Sequence, residues 1–137
     1  MNNGRFAISV HILTLLATSA EEWTSSEFLA GSININPVLV RKELSSLRSH
    51  GLVKSKEGKA GGNALAKPAD KILMSDIYET VRQHDLLGKG INQPNPACPV
   101  GRDINNHLDS LYKECERALI NSLAKETLAD FCKKFEL

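Results

Sequence analysis

Aromatic side chains are scarce: the 137 residues include one Trp, two Tyr and four Phe. Any core must therefore be built mainly from Leu, Ile, Val and Ala, and the length supports one domain, or one domain with an appendage. Cysteine is sparse as well. Cys98, Cys115 and Cys132 are odd in number, widely spaced and without a CxxC pair, which argues against a disulfide scaffold and against a zinc site. No run approaches the ~20 apolar residues that span a bilayer, and the opening MNNGRFAIS is too polar for a signal peptide, so a soluble cytoplasmic protein is expected. GxxxxGK[ST], GxGxxG and HExxH are all absent, and no acid is paired with a base by local context. An enzyme is not expected, nor is a resident cofactor or metal.

Net charge is only +1, so the whole chain does not announce a polyanionic partner. Its distribution is more informative. Residues 41 to 67 carry seven Lys or Arg against two acids, whereas residues 72 to 137 carry eight against ten. A local basic segment of this kind neutralises phosphates.

The apolar density of RFAISVHILTLLA, residues 5 to 17, predicts a largely buried helix. Thr24 and Glu27 have capping-box spacing and predict a short second helix, broken at Gly31 and Ser32. Asn36 caps the next helix, with Pro37 at its first position and Gly51 closing it in a left-handed conformation. Within it Val40, Leu44 and Leu47 form an inward stripe, leaving Pro37, Val38, Arg41, Lys42, Ser45 and Arg48 on other faces. LVKSK and NALAK, separated by the glycines of residues 58 to 62, read as a hairpin. Ser75 is expected to cap a short helix that buries Ile77 and Val81. Three glycines and three prolines make residues 85 to 101 a linker.

From Asp103 to about Lys134 the spacing predicts one long helix. Ile104, Leu108, Leu111, Cys115, Ala118 and Ser122 follow alternating steps of four and three, widened by Leu119 and Leu123. A helix of ~30 residues is ~45 Å long, more than a small domain can cover. Its stripe needs another surface, either the same helix of a second copy or a fold-back within one chain.

This order of elements is that of a winged helix-turn-helix: mainly α with a small β-hairpin, followed by a long C-terminal dimerisation helix. The expected division is 1–84 for the DNA-binding domain, 85–102 for the linker and 103–137 for the dimerisation helix. In such a module the second helix of the pair enters the major groove of double-stranded DNA. Arg41 and Lys42 are candidates for phosphate or guanine contacts, Ser45 for a phosphate or a base edge, and Val38 for a thymine methyl. Lys54, Lys56 and Lys59 give the hairpin phosphate-directed charge, and Gly58, Gly61 and Gly62 permit a tight wing tip.

Asn36 and Pro37, then LRSHGLVKSKEGKAGGNALAK and KILMSDIYETV, resemble the bacterial Rrf2 family of winged-helix transcriptional regulators. RFAISVHILTLLA is similar to that family's opening helix, and LAKETLADF to its terminal pattern. The resemblance implies a homodimer held by the long helix and acting on transcription, with two recognition helices and two wings on one operator; repression is the expected sign. It places the groove-reading end at Asn36 to Lys42, with Pro37, Val38, Leu39 and Arg41 facing the groove. Two departures stand out: Glu57 where the family has arginine before the wing glycine, and Asn63 where it has an aromatic after the glycine pair. A glutamate is repelled by phosphate, so the contact is lost or passes to Lys56 or Lys59. The rival reading is a winged-helix dimer that acts by protein contact, without specific operator recognition.

Cluster-binding members place three cysteines in the loop before the long helix, where this chain has Cys98 alone. With His107 it supplies at most two ligands per subunit, so no iron–sulfur cluster is expected. Cys115 reads as a small packed residue, Cys132 as structural, and Cys98 as a candidate redox-sensitive thiol. An unidentified small-molecule or redox effector remains open.

Overall fold

The computed structural model describes residues 4–82, 87 and 92–137. Along the chain come α1 (Arg5–Thr18), α2 (Ser26–Ile33), α3 (Pro37–Ser49), β1 (Val53–Lys56) and β2 (Gly62–Leu65). A 3-10 turn (Ala69–Lys71), α4 (Met74–Val81), α5 (Pro99–Leu123) and α6 (Leu128–Cys132) complete it. The fold is a winged helix-turn-helix with an appended long helix, as the sequence predicts.

The core lies where α1, α2, α3 and α4 meet. Ile12, Leu13, Leu29, Val40, Leu44, Leu47, Ile72 and Ile77 are fully buried there, joined by Leu128 of α6. The two strands pair antiparallel, with Val53 opposite Leu65 and Lys56 opposite Gly62. Ala64 is a poor strand former, and tertiary contacts outweigh that weakness. Thr24 adds a third, single-residue rung to the hairpin: its amide donates to the Asn63 carbonyl at 2.9 Å and its carbonyl accepts from the Asn63 amide at 2.7 Å.

Helix ends differ in detail from the sequence reading. Ser25, not Thr24, caps α2 by accepting from the Phe28 amide at 3.1 Å, because Thr24 is already held by the hairpin. Gly31 and Ser32 stay helical, and α2 ends at Asn34, whose left-handed φ of 63° lets its amide reach the Ala30 carbonyl. Ser75 is buried inside α4 rather than capping it. That helix starts beyond Leu73, whose amide donates to the Asp76 carboxylate at 2.9 Å.

The largest difference lies at the C-terminus. The long helix begins at Pro99, four residues before the predicted start, and stops at Leu123, about ten short of the predicted end. Thr127 and Asp130 form a reciprocal capping box that starts α6, and α6 packs back on α1. The segment from 103 to 137 is thus a helix plus a return to the head. Of the predicted linker, 85–102, the single residue 87 and residues 92–102 are described, and 99–102 belong to α5 rather than to a loop; the other predicted linker residues lie outside the described set. Among the described residues no helix is long and apolar enough to cross a membrane.

Candidate nucleic-acid interface

The candidate interface is built on α3, and both ends of that helix are determined locally. Asn36 accepts from the Val38 amide at 2.9 Å, and Pro37 occupies the first turn, where no amide partner is needed. At the other end Gly51 adopts φ 77°. Its amide donates to the Arg48 carbonyl and that of Leu52 to the Leu47 carbonyl, both at 3.0 Å, a Schellman closure. Val40, Leu44 and Leu47 fix the rotation of the helix by burying one stripe. Asn36, Val38, Leu39, Arg41, Lys42 and Ser45 are consequently exposed, and Pro37 is half-buried. Exposure of Val38 and Leu39 at 60% and 48% is unusual for apolar side chains and leaves them available to a groove floor.

Beside α3 the wing encloses an open, polar cleft of about 650 Å³. Arg41, Lys56, Lys59 and the wing glycines line it, together with Arg48 and the start of α2. Gly61 and Gly62 are required sterically. A Cβ on Gly61 would sit 1.9 Å from the Lys56 carbonyl oxygen, and one on Gly62, whose φ is 150°, would sit 2.8 Å from Thr24 backbone. Gly58 has φ 100° and open space around it, so its demand is conformational.

Three contributors escaped the sequence reading. Arg48 donates to Ser55 Oγ at 3.0 Å, and Ser55 in turn donates to Asn63 Oδ1 at 2.7 Å, while Asn63 Nδ2 donates to the Thr24 carbonyl at 3.1 Å. Asn63 is therefore buried in a chain of hydrogen bonds that ties α3 to the wing, and it is not a groove-reading substitute for an aromatic. The single Trp, Trp23, lies beneath the wing. Lys54 and Lys56 place their ammonium groups 5.7 and 5.9 Å from its ring centroid, which pre-orders two cations that would otherwise sample many rotamers. Glu43, on α3 but on the core side, receives Arg5 through two hydrogen bonds of 2.8 and 3.3 Å and so keeps its negative charge away from the exposed face.

Two carboxylates remain at the cleft. Glu27 lies 3.7 Å from Arg41, and both side chains are more than half exposed, so the pair contributes little and phosphate can displace it. Glu57 lies at the wing turn, solvent-exposed, as the sequence reading placed it.

The chain belongs to the Rrf2 family of transcriptional regulators. Residues 2–134 match the family model, described as iron-dependent transcriptional regulator. The chain is 40% identical over 130 residues to a protein of Bacillus subtilis strain 168 named as the HTH-type transcriptional regulator YwnA, covering 95% of this chain and 96% of that one. A crystal structure described as that of a DNA-binding protein superposes with a TM-score of 0.75 at 36% identity, covering 93% of this chain and 97% of the other. The global cysteine regulator CymR (YrzC) of B. subtilis shares the fold, with a TM-score of 0.68 at 24% identity over 99% of this chain and 98% of that one. This Rrf2 protein is thus a DNA-binding transcriptional regulator and not an enzyme.

Iron in the family's description finds no ligand set here: among the described residues, no three His, Cys, Asp or Glu side chains are grouped so as to hold a metal ion. Cys98 is exposed at the N-cap of α5, where the Gly101 amide and then the Val100 amide draw its thiol pKa below the ordinary value. Arg102, the cation nearest to Cys98 in sequence, is engaged with Asp103 at 3.1 Å. Cys115 is exposed in the single protomer rather than packed. Cys132 is half-buried against the core, and burial raises its pKa.

On α5, Ile104, Leu108, Leu119 and Leu123 are partly covered, while Leu111 and Cys115 are exposed. Only Leu123 of these packs against the head core. A second apolar surface, a groove of about 480 Å³, runs between α1 and the C-terminal segment, lined by Phe6, Val10, Leu15, Phe131 and Phe135 among others.

Proposed function

We propose that this regulator acts in the bacterial cytoplasm as a homodimeric repressor that reads a two-fold symmetric operator. The observation that carries the reading is the pairing of an exposed α3 face with a pre-ordered cationic wing on one polar cleft. Arg41, Lys42 and Ser45 take phosphate and base edges, Val38 and Leu39 meet thymine methyls or sugar, and Lys56 and Lys59 meet the phosphates flanking the groove. Asn36 and Pro37 bring the amino end of α3 close to the backbone, where the positive end of the helix dipole favours an anion.

Ile104, Leu108, Leu111, Cys115, Leu119 and Leu123 join two copies through α5, which gives the stripe the cover that its own protomer lacks. Residues 4–82 then form the head, to which α6 returns, and α5 is the dimerisation helix. Effector input fits two places. Cys98, with its lowered thiol pKa, suits an oxidant. The groove along α1 suits a small uncharged apolar molecule, since its walls offer mainly carbon.

Selection of bound sequences from random duplexes tests this reading. Two related half-sites with centres about one helical turn apart are expected. Unrelated sequences, bound without preference at low and at physiological salt, would favour the rival in which the dimer works by protein contact.

A further inference from the structure

Helix α4 lies between the recognition helix and α5, and it is fastened at its carboxyl end to α5 and at its amino end to the turn that leads from α5 into α6. At its amino end the fastening is backbone: the Met74 amide donates to the Glu126 carbonyl at 2.9 Å and the Leu128 amide to the Ile72 carbonyl at 2.8 Å. At its carboxyl end the fastening is one ion pair. Arg82, the residue that ends α4, donates through Nη2 to the carboxylate of Glu116 in the middle of α5. Its Nη1 lies 3.4 Å from both carboxylate oxygens of Glu79, which holds the guanidinium plane toward α5.

Glu116 is the buried residue of α5, although that helix exposes several apolar side chains. A carboxylate kept out of water on a helix whose Leu111 is exposed is not explained by solubility or by packing. It is explained by the guanidinium that meets it. From the same last turn of α4, the Thr80 carbonyl accepts from Ser46 Oγ of α3 at 3.3 Å. A path of direct contacts therefore runs from α5 through Arg82 and Thr80 to the recognition helix.

We propose that Arg82 and Glu116 are a positioning pair that fixes the angle between head and α5, and so sets the half-site spacing the dimer accepts. The proposal rests on the dimer reading above. Its mechanical content is simple. With the pair gone, α5 is held to the head chiefly near its carboxyl end, by the packing of Leu123 and the Ile72–Met74 fastening just beyond it, and pivots about that end. Residue 99 lies ~36 Å along the helix axis from residue 123 at 1.5 Å per residue, so a swing of ~10° moves the far end by ~6 Å. That is nearly two base-pair steps of ~3.4 Å, enough to take the partner's head out of register.

The test compares wild type, Glu116→Gln, Arg82→Met and the charge-swapped double variant Arg82→Glu with Glu116→Arg. Affinity is measured on duplexes whose half-sites are separated by stepwise added or removed base pairs, with copy number read by sedimentation. Wild type should show a sharp spacing optimum. Either single variant should lose about ten-fold at that optimum while gaining or holding at neighbouring spacings, and the double variant should restore the peak. An unchanged profile, or a loss equal at every spacing, would overturn the proposal.

A second measurement needs only one chain. Energy transfer from Trp23, the single Trp, to a dye on Cys98 in a Cys115→Ser, Cys132→Ser background reports the head-to-α5 distance, with labelled copies diluted by unlabelled ones. The distance distribution should broaden in Glu116→Gln and narrow again in the charge swap. If wild type sediments as one copy, the dimer reading falls while this distance still decides the pair's role. Identical distributions in all four proteins would reject it.

Discussion

Helices α3 and α5 are both amphipathic, and they differ in what covers the apolar side. α3 buries Val40, Leu44 and Leu47 within its own protomer and keeps a polar, cationic face outside. α5 is nearly twice as long, at 25 residues against 13, yet its single buried residue is Glu116 and Leu111 is 49% exposed. One helix is completed by the fold of its own chain, and on the proposed reading the other is completed by a second chain. In that reading the first presents a surface to DNA and the second decides how two such surfaces are spaced.

That contrast can be broken at either helix. Leu44→Ala, in the stripe of α3, should destabilise the head by about 2–5 kcal/mol through lost burial and a residual cavity, read by chemical denaturation. Leu111→Asp, on the exposed stripe of α5, should instead leave the melting of the head nearly unchanged and abolish the two-copy species in sedimentation. A matching loss of head stability in Leu111→Asp would mean that α5 is a core helix of one protomer. Arg41→Ala should weaken binding roughly uniformly across duplex sequences if its contact is to phosphate, lowering the slope of log affinity against log salt by about 1 per site. Relaxed discrimination at one base position would assign it to a base edge instead.

The charge departure at the wing gives a smaller and opposite effect. Glu57→Gln removes an exposed carboxylate beside the phosphates and should raise affinity several-fold in dilute buffer, with the gain fading as salt screens it. The smallest effect concerns the thiols. Helix amides lower the pKa of Cys98 while burial raises that of Cys132, so alkylation near pH 7.5 should modify Cys98 first and Cys132 last. Loss of operator binding under peroxide in the wild type, but not in Cys98→Ser, would tie that reactivity to regulation.

The same contrast shows where the sequence was legible. α3 could be read because its signals are local: Asn36 and Pro37 at one end, Gly51 at the other, and a stripe with helical spacing between them. The wing was legible for the same reason, its glycines lying where backbone approaches backbone. Asn63, Trp23 and Arg48 were not, since each acts through a partner outside its own element: Thr24, the wing lysines and Ser55. The stop at Leu123 was hidden by the absence of Gly or Pro between residues 119 and 127, although Thr127 and Asp130 carried a capping signal three residues apart. Glu116 carried no readable signal because no local pattern announces Arg82 as its partner.

In the proposed reading two heads act as one unit on a duplex. Sedimentation equilibrium of a labelled duplex bearing the selected site, at 50 and 200 mM salt, measures copy number and electrostatic demand together. Two copies per duplex are predicted, with affinity falling ~10³ to 10⁵ between those salts for six to ten phosphate contacts. One copy per duplex with little salt dependence would contradict it.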